Sequence, residues 1–235
     1  MPTSRREFVE KMTVGAAMFG ALPLPLSLSL SGNEMNAALG PDPSSAPSAT
    51  AEWDLTWVNK LTGKHKAVFD VPEVESGYGV WRATVWTNQY HNVLKIPLAE
   101  LSPVVVLRHT DIMLAMQQSF WDKYGIGKAK SVTHPMTLQP TDRNPVLLSS
   151  ARGEIDANFD PMALDKFIAR GGVALACDLA LQDCIELIKT KDGVSAEVAR
   201  QRAIAAMVPG VILQPSGVFA ALRAQEAGCS YLRAS

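Results

Sequence analysis

The sequence predicts an α/β protein: a single three-layer domain in which a mainly parallel sheet is flanked by helices. Two short runs, residues 104–107 and 173–176, are apolar at every position, which indicates strands buried on both faces, as in a parallel sheet. Segments with helical spacing of apolar residues lie between such runs, and this alternation favours crossover connections that keep the strands parallel. A chain of 235 residues has room for one such domain with a sizeable core.

In the first half of the domain, predicted strands and helices alternate. The patterns predict strands at residues 64–71 and 102–109 and helices at 78–93 and 112–124. Pro72 stops the first strand, because proline has no N–H group for the ladder. Thr110 and Asp111 are expected to be N-cap residues of the second helix, since their side-chain oxygens can accept hydrogen bonds from its free N–H groups.

The second half continues the alternation. Its predicted elements are a helix that starts at Asp160 and Pro161 and ends at Gly171, strand 173–176, helix 179–189, a helix from Ser195 to Met207, strand 211–213, a helix from Ser216 to Gly228, and strand 229–232. Val218 and Leu222 are expected to form the buried apolar stripe of the last helix. Residues 128–159 show no period, although 146–148 has the character of a short strand. A long irregular segment is often a functional loop or an oligomer contact.

The N-terminal residues carry the most specific motif of the chain. Residues 4–11 read Ser-Arg-Arg-Glu-Phe-Val-Glu-Lys, which matches the twin-arginine export motif, and an uncharged apolar segment follows. We therefore predict a twin-arginine signal at residues 1–31, a flexible linker at 32–54 and the α/β domain at 55–235. A cytosolic amphipathic helix does not fit, because the apolar run is not periodic. A membrane anchor formed by an uncleaved signal stays open as the alternative.

Composition and motifs exclude several classes of function. The net charge is −1 and no basic patch is present, so no nucleic-acid partner is expected. The chain has no Gly-x-Gly-x-x-Gly motif and no phosphate-binding loop, and nothing indicates a nucleotide. Its cysteines and histidines lack zinc-type and Cys-x-x-Cys spacing. We therefore expect no structural metal site and no resident cofactor.

Residues with reactive or charged side chains follow the predicted strands at their carboxyl ends. Cys177 ends one aliphatic strand, and Arg108 and His109 end the other. Because the carboxyl ends of parallel strands share one edge of a sheet, these side chains are expected to share a cleft. Asp178 is expected to cap the helix after Cys177, and the N-terminus of that helix would favour the nucleophilic thiolate. The candidate reactive residue is thus Cys177, and the supporting candidates are His109, Arg108 and Asp178.

Simpler interpretations of the same residues stay open. Cys177 would serve equally as a small core residue, and Arg108 and His109 would then satisfy backbone or carboxylate groups near the surface. Cys184, by contrast, falls on the apolar stripe of its predicted helix and is expected to be buried and unreactive. If Cys177 and Cys184 both lie along this helix, they are about 10 Å apart, too far for a disulfide bond.

Five short segments follow one another along the chain: Val-Val-Val-Leu-Arg-His at 104–109, Trp-Asp-Lys-Tyr-Gly at 121–125, Ala-Leu-Ala-Cys-Asp-Leu-Ala-Leu at 174–181, Val-Pro-Gly-Val at 208–211, and Ala-Gln-Glu-Ala-Gly at 224–228 before Tyr231. In this order and spacing they resemble the DsrE/DsrF-like family of small α/β proteins, in the branch that carries a twin-arginine signal. The resemblance covers residues 64–232. It implies a parallel sheet flanked by helices and frequent homo-oligomers such as trimers or hexamers. Cytoplasmic members relay sulfur as a cysteine persulfide, and the position of that cysteine matches Cys177.

Different classes of function are compatible with these observations. The first is a periplasmic thiol protein, at most a sulfurtransferase-like carrier, that holds sulfane sulfur as a persulfide on Cys177. The second is a non-enzymatic periplasmic protein that binds a small ligand, a metal or haem in the same cleft, or an oligomeric structural module. The expected partners are further copies of the chain and the twin-arginine export machinery, which would recognise Arg5 and Arg6. The sequence does not identify a sulfur donor or acceptor.

Replacing both signal arginines, Arg5→Lys with Arg6→Lys, should abolish export, because the twin-arginine machinery recognises the arginine pair itself. Immunoblots of periplasmic and whole-cell fractions would measure the effect, with the whole-cell amount as the control for expression. An unchanged periplasmic amount of the double variant would refute the predicted targeting.

Overall fold

The computed structural model of the protein describes residues 53–235. The predicted signal at 1–31 lies outside these residues, as does the predicted linker at 32–54 apart from its last two positions. Both therefore stay predictions. None of the helices within residues 53–235 is long and apolar enough to cross a membrane.

Five strands and seven α-helices occur in the described residues. The strands are β1 (His65–Val71), β2 (Leu101–Leu107), β3 (Val173–Cys177), β4 (Ile212–Gln214) and β5 (Ser230–Arg233). The α-helices are α1 (Tyr78–Leu94), α2 (Gln118–Tyr124), α3 (Ile126–Ala129), α4 (Leu164–Ala169), α5 (Asp178–Asp192), α6 (Ala196–Ala205) and α7 (Gly217–Glu226). Two 3₁₀-helices bear on the site, namely Thr56–Lys60 and His109–Ala115.

The five strands form one sheet in the order β4-β3-β2-β1-β5, and every pairing between neighbours is parallel. The chain adds strands outward from β1 to β4, and then returns to pair β5 with the other edge of β1. Helices pack on both faces of the sheet. The predicted α/β class, with a parallel sheet between helical layers, is therefore confirmed.

Alternate residues of the central strand β2 divide the core between the two faces of the sheet. Val105 and Leu107 belong to the larger cluster, which α1, α2, α4, α5 and α6 cover. Val104 and Val106 belong to the smaller cluster, which is covered by α7 and by the 3₁₀-helix Thr56–Lys60. All four side chains are fully buried, which explains why the run is apolar at every position.

Helix α7 packs on the sheet through small residues. Gly217, Ala220 and Ala224 are buried, whereas Val218 and Leu222 are exposed. The prediction that Val218 and Leu222 form the buried stripe was therefore wrong. Small side chains let the helix backbone lie close to the valine-rich surface of the strands, and apolar spacing alone does not distinguish this face from the other.

The chain between β2 and α2 also differs from the predicted helix 112–124. A 3₁₀-helix occupies His109–Ala115, and α2 starts only at Gln118. The interruption has a tertiary cause, because Gln117 N–H donates to Ala206 and Val208 N–H donates to Ala115 across the two segments. Thr110 and Asp111 consequently lie inside the 3₁₀-helix and are not its N-cap.

Two predictions for the following segment were wrong as well. Residues 146–148 form no strand in the described structure. The helix expected from Asp160 begins only at Leu164, after a separate 3₁₀-helix that ends at Met162. Ala163 has extended backbone angles, φ −65° and ψ 143°, and this residue separates the two helices.

A buried side chain, Asn144, anchors the irregular segment 128–159 to the core. Its Nδ2 donates to the carbonyl oxygens of Leu114 and Met116, at 3.1 and 2.7 Å, and its Oδ1 accepts from the N–H of Val146 at 3.2 Å. Both Asn144 and Val146 are fully buried. This part of the segment is therefore fixed against the 3₁₀-helix after β2.

Asn144→Ala should lower the free energy of unfolding by about 2–4 kcal/mol, because the carbonyls of Leu114 and Met116 would stay buried without their donors. Urea unfolding monitored by circular dichroism would measure the change. Asn92→Ala, at an exposed position of α1, is the matched control and should change stability by less than about 0.5 kcal/mol. Equal effects of the two substitutions would contradict the anchoring role of Asn144.

Candidate functional site

A cavity of about 290 Å³ opens at the carboxyl edge of the sheet, between the ends of β3 and β4. The chain leaves β3 into α5 on the face of the larger cluster, and leaves β4 into α7 on the other face. Ligands of open α/β sheets bind where neighbouring connections diverge in this way. The cavity is lined by residues that follow β2, β3 and β4: Arg108, His109, Cys177, Leu179, Ala180, Asp183, Ser216, Gly217 and Val218.

Cys177 is the last residue of β3 and the N-cap residue of α5. Its backbone is extended, with φ −82° and ψ 118°, so the chain passes from strand to helix without an intervening loop. The side chain is 6 % exposed, lines the cavity and forms no hydrogen bond with a described residue. The predicted placement of a thiol at a strand end, against a helix N-terminus, is therefore confirmed.

Asp178 does not share the cavity with the other three candidates. It is the first residue of α5 rather than its cap, and its Oδ1 lies 2.7 Å from Nη2 of Arg200 on α6. The predicted capping role was wrong, because Cys177 already has the extended backbone of the N-cap. The contact with Arg200 holds α5 against α6, which is a structural role outside the cavity.

Arg108 forms a bidentate ion pair with Asp70, a residue of β1. Its Nε and Nη2 donate to the two carboxylate oxygens at 2.6 and 2.8 Å, and Tyr231 of β5 donates its hydroxyl to Oδ2 of Asp70 at 2.6 Å. Asp70 is only 2 % exposed. The sequence places Asp70 near the end of the first predicted strand, at the edge of the sheet that carries the other candidates, but its pairing with Arg108 was not predicted, and Tyr231 was missed as a site residue.

The charges of this cluster reinforce one another. Burial by itself raises the pKa of Asp70, but hydrogen bonds from Arg108 and Tyr231 outweigh burial and hold that pKa below its usual value. The hydrogen bond to Asp70 raises the pKa of Arg108, and a negative charge on Cys177 raises it further. Arg108 therefore stays a cation at the wall of the cavity that Cys177 also lines.

The N-terminus of α7 lies directly on the side chain of Arg108. A Cβ atom at Gly217 would come within 2.6 Å of both Cβ and Cδ of Arg108, so only glycine fits here. Ser216 caps the helix, because its side chain accepts a hydrogen bond from the N–H of Phe219 at 3.0 Å. The positive end of this helix therefore faces the same cavity as the positive end of α5.

His109 reaches the cavity from a strained backbone position. Its φ of 56° lies in the left-handed region, which non-glycine residues seldom adopt. The ring of His109 forms no hydrogen bond with residues 53–235. The alternative prediction, in which this histidine satisfies a nearby polar group, is therefore wrong. Backbone strain next to a cavity is a feature of functional positions.

Asp111 is a buried carboxyl group that sequence analysis placed in a different role. It is fully buried, and neither of its oxygens has a hydrogen-bond partner within the described residues. Burial raises its pKa well above the ordinary value, and the negative charges of Asp70 and Glu75 raise it further. Burial therefore favours the protonated, neutral form of Asp111 in the fold. Its segment, the 3₁₀-helix His109–Ala115, begins at the cavity residue His109.

Cys177 differs from the other two cysteines in its access to the cavity. All three cysteines are free thiols. Cys184 is fully buried as predicted, and burial raises its pKa to about 12; burial likewise raises the pKa of Cys229 to about 11. Within residues 53–235, no group of three or more His, Cys, Asp and Glu side chains is arranged to hold a metal ion.

Asp111→Asn should make the stability of the protein less dependent on pH. The unfolded chain releases the Asp111 proton above about pH 4, whereas the fold retains it. The contribution of Asp111 to the free energy of unfolding is therefore at its full value below about pH 4. It decreases by about 1.4 kcal/mol per pH unit as the pH rises toward the pKa of Asp111 in the folded chain. Urea unfolding at several pH values should show Asp111→Asn gaining stability over the parent chain as pH rises.

The matched control for this prediction is Asp156→Asn, which changes an exposed carboxyl group. The free energy of unfolding of Asp156→Asn should change with pH in the same way as that of the parent chain. If Asp111→Asn also gave a curve parallel to that of the parent, the pKa of Asp111 would be the same in the folded and the unfolded chain, contrary to its complete burial in the structure.

No protein-family model matches the chain, and no curated protein matches it either. The resemblance to the DsrE/DsrF-like family therefore stays a prediction from sequence motifs, whereas the α/β fold is a property of the structure. The function consequently has to be inferred from the geometry and chemistry of the cavity itself.

Proposed function

We propose that the protein is an exported thiol carrier that accepts sulfane sulfur as a persulfide on Cys177. The observation that carries the proposal is the position of this thiol, at the junction of β3 and α5, in a cavity that Arg108 also lines. A nucleophilic cysteine needs a group that stabilises its thiolate, and a helix N-terminus with a nearby guanidinium supplies this. Export to the periplasm rests on the twin-arginine motif alone.

The proposed reaction is a transfer of one sulfur atom between two thiols. The thiolate of Cys177 forms a bond to the outer sulfur of a donor persulfide, the S–S bond of the donor breaks, and the donor leaves with the electron pair as a thiolate. The outer sulfur keeps its proton during the transfer, so the product on Cys177 is a persulfide, S–SH, which becomes the persulfide anion when that proton passes to water. This anion would be stabilised by the same helix N-terminus and by Arg108, and its burial would limit contact with water and oxidants.

Arg108 would act as the electrostatic partner of the thiolate, and Asp70 and Tyr231 as the residues that position it. The two-point ion pair fixes the plane of the guanidinium, since both Nε and Nη2 are engaged. His109 would provide a ring nitrogen at the cavity wall for proton exchange with the incoming sulfur compound.

A non-catalytic ligand-binding protein is the second candidate function. The favouring observation is the cavity itself, which has a mixed aliphatic and polar wall at the edge of the sheet where α/β proteins bind ligands. In that case Cys177 would be a small wall residue rather than a nucleophile.

Treatment of the purified chain with inorganic polysulfide should add one sulfur atom to Cys177. Peptide mass spectrometry, after alkylation that preserves persulfides, would locate the modification. Cys177→Ser should remove it, whereas Cys229→Ser should retain it. Cys229 is a matched control, because its side chain is 5 % exposed compared with 6 % for Cys177 but does not line the cavity. Modification of Cys229 to the same extent as Cys177 would overturn the proposal.

A further inference from the structure

A second cavity, of about 300 Å³, lies beside the first along helix α7. Both cavities have Arg108, Gly217 and Val218 in their walls, so they meet at these residues. We call the two cavities together the α7 groove. From the thiol end at Cys177, the groove continues past Leu222 to Tyr231 on β5. Each cavity is comparable in size to a binding site for a small organic molecule.

The groove is bordered by apolar side chains that the fold leaves in solvent. Leu179 is 68 % exposed, Val218 63 %, Leu222 54 % and Tyr231 45 %. These residues come from three different elements, α5, α7 and β5, and yet they line the same pair of cavities. Since α7 packs on the sheet through small residues, the fold does not use Val218 or Leu222. Exposed apolar surface gathered around a concavity is typical of a ligand site.

A cationic group lies where the two cavities meet. Nε and Nη2 of Arg108 donate to Asp70, but no residue in the described part of the chain accepts a hydrogen bond from Nη1. Two N–H groups of Nη1 are therefore available to a ligand. Because the Asp70–Arg108 pair is neutral as a whole, the net attraction for an anion comes from the N-termini of α5 and α7.

The negative charges near the groove are arranged so that they leave this junction accessible. Asp70 has both of its oxygens engaged by Arg108 and Tyr231. Asp183 lines the first cavity but not the second, so its charge lies on the side of Cys177. An anion at Arg108 would therefore extend its remaining atoms along the second cavity, away from Asp183.

We propose that the α7 groove binds a small amphipathic organic anion, with its anionic group at Nη1 of Arg108 and its hydrocarbon chain along Val218, Leu222 and Tyr231. An inorganic anion would leave these exposed apolar side chains unused, and a neutral hydrocarbon would desolvate Arg108 without a partner. This binding needs no thiol chemistry, so it goes beyond the persulfide function and does not depend on it.

The test uses three probes and the purified 235-residue chain. Isothermal titration calorimetry should detect octanoate binding, with about tenfold or greater loss of affinity for butyrate, which has a shorter chain, and for octanamide, which lacks the charge. Octanoate should also slow the alkylation of Cys177 by iodoacetamide, because Cys177 lines the same groove. Octanoate affinity and the addition of sulfur to Cys177 are separate readouts, so a failure of polysulfide to modify Cys177 would refute the proposed thiol function alone, and a failure of octanoate to bind would refute this inference alone.

The variant that tests the location is Leu222→Asp, because Leu222 is exposed and its replacement should not disturb folding. It should weaken octanoate binding about tenfold or more, since a carboxylate would replace the apolar wall. Leu98→Asp is the matched control, with the same chemical change at a residue that is 53 % exposed and lies outside the groove. That variant should bind octanoate like the parent chain.

Three results would overturn the inference. The first is equal affinity for octanoate and octanamide, which would mean that Arg108 and the N-termini of α5 and α7 together do not select an anion. The second is equal weakening by Leu222→Asp and Leu98→Asp, which would place the binding elsewhere on the chain. The third is absence of octanoate binding together with a native mass that doubles with concentration and falls in Leu222→Asp, which would assign the groove to a second copy of the chain.

Discussion

The ion pair between Asp70 and Arg108 is the interaction on which the geometry of the carboxyl edge depends. It joins the end of β1 to the residue that follows β2, receives a third contact from Tyr231 on β5, and lies against the first turn of α7. A buried charge is costly unless it is paired and fully hydrogen-bonded. Each of these four elements is therefore held in place by the requirement to keep Asp70 partnered, and the cavity beside Cys177 takes its shape from the same requirement.

Close packing of α7 is the second constraint, and it follows from the first. The helix can lie on Arg108 only because residue 217 has no Cβ, and on the strands only because Ala220 and Ala224 are small. Because α7 packs on the sheet through small residues, its larger apolar side chains are not needed for this packing. The fold thereby leaves Val218 and Leu222 exposed, and both side chains form an apolar wall of the cavity that Arg108 also lines.

The sequence was sufficient for the fold class and for the position of Cys177, because strands that are apolar at every position have few alternatives to a buried parallel sheet. The sequence was insufficient where two different local structures are compatible with the same pattern of residues. The buried apolar stripe of α7 was predicted on the wrong face of the helix. The 3₁₀-helix after β2 was predicted as the first part of an α-helix, because the contacts with residues 206–208 that interrupt this helix come from a distant part of the chain. Tyr231 was missed because its role depends on the pairing of β5 with β1, and the order of strands in a sheet leaves no local trace in the sequence.

The pairing of β5 with β1 also has a consequence for the order of events in folding. The hydrogen bond from Tyr231 to Asp70 spans 161 positions of the chain, so almost the whole domain must be synthesised before it can form. Contacts of such high sequence separation carry a large loop-closure cost and tend to form late. The residues around Asp70 would thus be the last part of the domain to become rigid. Completion of the site would coincide with completion of the domain, and a truncated chain would lack both.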